Sequence, residues 1–162
     1  MHGTNLYFDA LLLACCGYAA WRGGAPERVA AAAFFLGVLM TRLAFSAWSQ
    51  AWASVETGVF AVDLLLLTTL IALSMVAERF WTLWLTAFHL IGTTGHLVKL
   101  ADPSLIRWGY AFVIAAPAYP MCLIIAFGTW KHCQRMARYG ADRSWSNFSV
   151  PSGPRRPAGR TA

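Results

Sequence analysis

From Leu6 to Trp130 this chain is apolar almost without interruption, and the polar breaks in it are too short to hold a domain of their own. In an α-helix, about 20 apolar residues cross the hydrocarbon core of a bilayer. Read at that length, the stretch divides into five spans at residues 6–21, 29–48, 58–77, 80–100 and 105–130. All five are expected to be helices. Lipid offers no partner for a backbone N–H or C=O, and the runs are far longer than a barrel strand. The expectation is an all-α integral membrane bundle of five transmembrane helices over residues 1–130. Residues 131–162 then form a basic cytoplasmic tail, largely disordered after about residue 147, where serines and prolines accumulate. Composition agrees, since 58% of the chain is hydrophobic and 12% charged, about half the charge of an ordinary soluble domain.

Orientation follows from the cations in short loops. With an odd number of spans, one arrangement places Arg22, Arg28, Arg79 and the seven tail residues Lys131, Arg135, Arg138, Arg143, Arg155, Arg156 and Arg160 on one side, and only Lys99 and Arg107 on the other. The positive-inside rule therefore sets the N-terminus outside and the C-terminus in the cytoplasm of a bacterial inner membrane. Tyr7, Trp48, Trp52 and Trp108 fall at the outer interface and Trp21, Trp81, Trp84 and Trp130 at the inner one. Lys131, Arg135, Arg138 and Arg143 are expected to contact anionic lipid. No nucleic-acid motif accompanies the net charge of +6. Span one lacks a basic leader and carries Asp9, which argues against a cleaved targeting segment. Cys15, Cys16, Cys122 and Cys133 avoid the outer loops and show no C-x-x-C spacing, so neither a disulfide framework nor a metal knuckle is expected.

Ionisable residues inside spans are costly, by about 2.5–3.5 kcal/mol at the centre, and tend to turn inward and find partners. Arg42, near the outer end of span two, and Asp63, near the outer start of span three, lie at matching depth and are expected to pair, with Asp9 close by. On span four Leu85, His89, Gly92, His96 and Lys99 recur at helical spacing and share one face, with Thr93 beside it. Asp9, Arg42, Asp63, Thr93, His96 and Lys99 are thus candidates for one polar cluster opening outside, with His89 at the midplane. The bland alternative is that these groups only fix helix register and rotation. Pro117 and Pro120 are expected to kink span five.

Haem finds little support. His89 and His96 are the histidines within the spans, and seven residues along one helix set them about 10.5 Å apart, too far for one iron. A His96–Met40 pair is a remaining option. A quinone would need only one or two donors in an apolar pocket, which His89 with Tyr110 or Tyr119 supplies. No phosphate-binding glycine loop, H-E-x-x-H or G-x-S-x-G is present, so neither catalysis nor a resident cofactor is expected.

Ala20-Trp21-Arg22-Gly23-Gly24 with Pro26-Glu27-Arg28, and Glu78-Arg79-Phe80-Trp81 with Leu83-Trp84, resemble recurring elements of small multi-span bacterial inner-membrane proteins without an assigned activity. That resemblance implies a five-helix membrane protein and transfers no functional residue. Three functions stay open: an accessory or structural subunit with a protein partner or a second copy in the membrane, a small-solute or proton-coupled carrier or sensor using the polar cluster, and a quinone- or haem-linked electron-transfer component.

Overall fold

The computed structural model describes residues 6–44, 57–77, 79–104, 106–142 and 144–145. The expected connection around Ser49 and Glu56, the interfacial Trp48 and Trp52, Glu78, Arg143 and the tail beyond residue 145 lie outside the described residues. Among those described, the chain is all α: α1 (Leu6–Arg22), α2 (Ala25–Ala44), α3 (Thr57–Val76), α4 (Phe80–Ala101), α5 (Arg107–Ala115) and α6 (Ala118–Tyr139).

The six segments make five rods. Ala116 and Pro117 both keep right-handed helical dihedrals between α5 and α6, and Pro117, having no N–H, interrupts the hydrogen-bond ladder without turning the chain back. The kink expected in span five is therefore at Ala116–Pro117, while Pro120 sits in the first turn of α6, where a missing N–H costs little. α6 also runs nine residues past the expected boundary at Trp130, to Tyr139, and stops at Gly140, whose φ of 68° is the left-handed cap that only glycine adopts freely. α2 begins four residues earlier than expected, with Pro26 in its first turn, so Glu27 and Arg28 belong to a helix rather than a loop.

Each rod packs on its chain neighbours, and α6 returns to α1 and α4, so the rods close into a ring. Glycines admit the closest approaches. A Cβ on Gly37 would sit 2.8 Å from Leu66, and one on Gly128 would sit 2.7 Å from the Trp81 indole. At the α1–α2 turn a Cβ on Gly23 would lie 2.4 Å from the carbonyl oxygen of Ala19.

The core is apolar, built around Leu12, Phe34, Leu70, Leu85, Met121 and Ile125, yet charged groups share it and large apolar side chains cover the outside. Glu27, Asp63, His89, His96 and Lys99 are buried, whereas Leu65, Ile91, Phe112 and Leu123 are each more than half exposed. Two helical stretches are long and apolar enough to cross a membrane, Thr57–Val76 and Trp108–Tyr139. α1 has only 17 residues, and α2 carries Glu27, Arg28 and Arg42, so neither reaches that standard by composition alone.

Candidate functional site

A cavity of about 340 Å³ lies inside the ring, and every rod contributes to its wall. α1 supplies Phe8, α2 Phe34, Gly37, Val38, Thr41 and Arg42, α3 Val59, Asp63 and Leu66, and α4 His89 and Gly92. The kinked fifth rod closes it with Ile114, Ala115, Pro117, Ala118, Tyr119 and Met121. At Gly92 the kink lies within van der Waals range, with the Ile114 carbonyl oxygen 3.5 Å from where a Cβ would be, so an alanine would fit there.

The expected Arg42–Asp63 pair does not form. Arg42 pairs with Asp9, and the ion pair is partly exposed. Both ends of the Arg42 side chain's reach are explained by position: Asp9 starts α1 at the same end at which α2 finishes, and Arg42 points outward along its helix toward it. Asp63 is instead bound from α4. The Nε2 of His96 lies 3.0 Å from Asp63 Oδ2, and the Tyr110 hydroxyl lies 2.9 Å from the Nδ1 of the same ring. His96 and Tyr110 are fully buried. His89 reaches the Asp63 backbone, with Nε2 3.0 Å from its carbonyl oxygen. The face predicted on α4 is thus the inward face, and all its members are buried.

The remaining candidates separate from the cavity. Thr93 donates its hydroxyl to the His89 carbonyl, 3.0 Å away within its own helix. Lys99 does not run out to the interface. It is buried, donates to the Pro103 carbonyl at 2.8 Å, and lies over the Tyr110 ring. Of the expected polar cluster, then, Arg42 and Asp63 line the cavity, together with the midplane candidate His89; Asp9 pairs with Arg42, and His96 stands behind Asp63.

Sequence reasoning did not assign Tyr110 to this chain of contacts, because its depth in a span says nothing about which neighbour it meets. The geometry gives the triad a definite chemistry. In both charge states of His96, Nε2–H donates to Asp63. When His96 is neutral, Nδ1 accepts the Tyr110 O–H; when it is charged, Nδ1–H donates to the Tyr110 oxygen. A hydroxyl serves both roles by rotating its hydrogen.

A second polar group, at the end where α6 finishes, was not anticipated. Asp142 folds back beyond Gly140 and accepts from Arg135 Nε at 2.9 Å, Arg79 Nη2 at 2.8 Å and His132 Nδ1 at 2.6 Å. Burial by itself would raise the Asp142 carboxyl. The hydrogen bonds from Arg135 and His132, with the charges of Arg79 and Arg135, outweigh it and hold the group below the usual carboxylate range. Glu27, fully buried, stands beside the same arginines at 3.9 and 4.0 Å, and among the described residues neither carboxylate oxygen has a hydrogen-bond partner. Arg135 is therefore a member of a protein network rather than a lipid-facing tail residue. Lys131 folds over Phe127 and Trp130, and Arg138 is exposed. Among the described residues no group of three His, Cys, Asp or Glu side chains has the arrangement of a metal site.

No family model, curated protein or solved structure matches this chain.

Proposed function

We propose that this chain is a five-span protein of the bacterial inner membrane, N-terminus outside and C-terminus in the cytoplasm, that holds a small amphipathic molecule in a proton-linked site between its helices. The observation that carries this reading is the cavity walled by Asp63, with His96 and Tyr110 behind it. The cavity is partly open, and its volume falls at the low end of small-molecule sites, about 300–1,000 Å³.

Membrane insertion of all five rods is supported by what each turns outward. At 17 to 22 residues, α1, α2 and α4 extend about 25–33 Å at 1.5 Å per residue, close to the apolar thickness of a bilayer. Of the charges these helices carry, Glu27 and Lys99 are buried and Arg42 is joined to Asp9, while Arg22 and Arg28 are exposed at the helix ends beside the α1–α2 turn. Orientation is tested with Cys133, the partly exposed member of four free cysteines. A membrane-impermeant maleimide should leave it unlabelled in intact cells and label it once the membrane is opened. Labelling of Cys133 in intact cells would reverse the topology.

The site itself is tested by infrared difference spectroscopy on the purified protein in lipid nanodiscs. As pH is lowered, the triad should take up one proton with linked changes in the carboxylate and tyrosine bands. Tyr110→Phe should remove the tyrosine band and alter the carboxylate one. Carboxylate bands unchanged by pH, and identical in Asp63→Asn, would end the proton-linked reading.

A second reading, an accessory subunit with a larger protein partner, is favoured by one feature: an apolar groove between α4 and α5 lined by Leu90, Ile91, Thr94, Gly95, Val98 and Gly109, where small residues permit a close helix approach.

A further inference from the structure

The charge balance of the cavity points to the class of molecule it takes. Among the described residues, two charged side chains lie on its wall, Arg42 and Asp63. Arg42 is answered by Asp9. Asp63 meets an imidazole, not a guanidinium or ammonium group. With His96 neutral, the wall and its immediate partners therefore carry one net negative charge, placed in a surround of Phe8, Phe34, Leu66 and Met121. A carboxylate answered by a neutral imidazole keeps its charge in an apolar setting, which is costly, and a cation seated beside it lowers that cost. Aromatic faces add to the fit. Phe8 and Tyr119 pack edge to face at 5.3 Å on the wall, and Phe34 is buried alongside. Quaternary and protonated amines are held by such rings through cation–π attraction.

Resting on the site proposed above, we infer that the ligand is an organic cation, a protonated or quaternary amine with an apolar body, and that it competes with one proton for the Asp63–His96 pair. The titratable groups that face this pair are His89 on the Asp63 carbonyl, Tyr110 behind His96, Lys99 over the Tyr110 ring, Tyr119 across the cavity, and the joined Arg42 and Asp9 at its wall. When the amine enters, the proton on His96 leaves to solvent and Nδ1 accepts the Tyr110 hydroxyl. When the amine departs, the proton returns. No heavy atom of the triad has to move for this exchange, since Tyr110 changes only from acceptor to donor.

The test uses a matched pair of probes on the intact protein in nanodiscs: benzyltrimethylammonium and its uncharged isostere neopentylbenzene. Calorimetry should show the cation binding at least about tenfold more tightly than the isostere at neutral pH, the scale expected of a charge-assisted contact. That preference should shrink as pH is lowered and one proton is bound, and Asp63→Asn should abolish it. The wild-type comparison needs no variant, so poor folding of Asp63→Asn does not blunt it. Equal binding of the two probes would overturn the cation assignment while leaving the cavity as a ligand site. Binding of neither would overturn both the assignment and the site.

Discussion

The two polar regions of this bundle are built from similar residues and do opposite things with space. In the half toward the N-terminus of α1, an aspartate and a histidine line a cavity of about 340 Å³, with a second histidine and a tyrosine behind the aspartate. At the other end Glu27, Arg79, His132, Arg135 and Asp142 are drawn together, with Gly24 close against Glu27 and His132. One arrangement leaves room beside a carboxylate. The other joins the α1–α2 turn, the start of α4 and the end of α6 into a clamp. The comparison teaches that buried charge is not in itself a mark of a ligand site. What separates glue from site is whether the partners fill the space between them.

The largest effect should come from breaking the clamp. Arg79 is nearly buried between Asp142 and Glu27. Arg79→Met would leave Asp142 with Arg135 and His132 and the buried Glu27 with Arg135 at 4.0 Å, and removal of one partner of a buried ion pair costs about 3–5 kcal/mol. Thermal unfolding in detergent and abundance in the membrane should both fall steeply. A comparable fall in Asp63→Asn would erase the distinction between the two regions.

Glycine substitutions sharpen the contrast at an intermediate scale. Gly128→Ala drives a Cβ to 2.7 Å from the Trp81 ring and should destabilise by about 1–3 kcal/mol, as overpacking does. Gly17 has nothing within 4 Å of the same probe position, so Gly17→Ala should stabilise α1 by about 0.5–1 kcal/mol. Equilibrium unfolding of the two variants side by side decides it.

The smallest effect concerns pH. The Asp142 carboxyl is held below its ordinary value of 3.8. A group depressed by folding contributes stability above its unfolded value and loses that contribution as pH falls through the folded one. The Arg135 Nε–H resonance should therefore keep its hydrogen-bonded position at neutral pH and down through the ordinary carboxylate range, and move only below it. Movement already near neutrality would mean that Asp142 is not the group that holds Arg135.

Much of the cavity half was legible in the sequence, because its polar residues sit mid-span where any ionisable group stands out. The inward face of α4 followed from Leu85, His89, Gly92, His96 and Lys99 at helical spacing, and all five are buried. Partner choice was not legible. Depth brought Arg42 and Asp63 level, but rotation of each helix about its own axis set Arg42 on Asp9 and Asp63 on His96. The clamp was hidden for another reason. Arg79, Arg135 and Asp142 fall at span ends, where cations read as orientation signals, and Glu27 fell in an expected loop until Pro26 proved to start α2. Only the reversal at Gly140 brings Asp142 back to them.

The most direct measurement of the central claim is native mass spectrometry of the protein extracted from its own membranes in mild detergent, tagged at the N-terminus so that the α6 end stays free. The account predicts a small organic cation retained with the chain and absent from Asp63→Asn. A chain that carries no small molecule and travels in fixed ratio with a larger subunit would contradict it, and would make the cavity incidental to an accessory role.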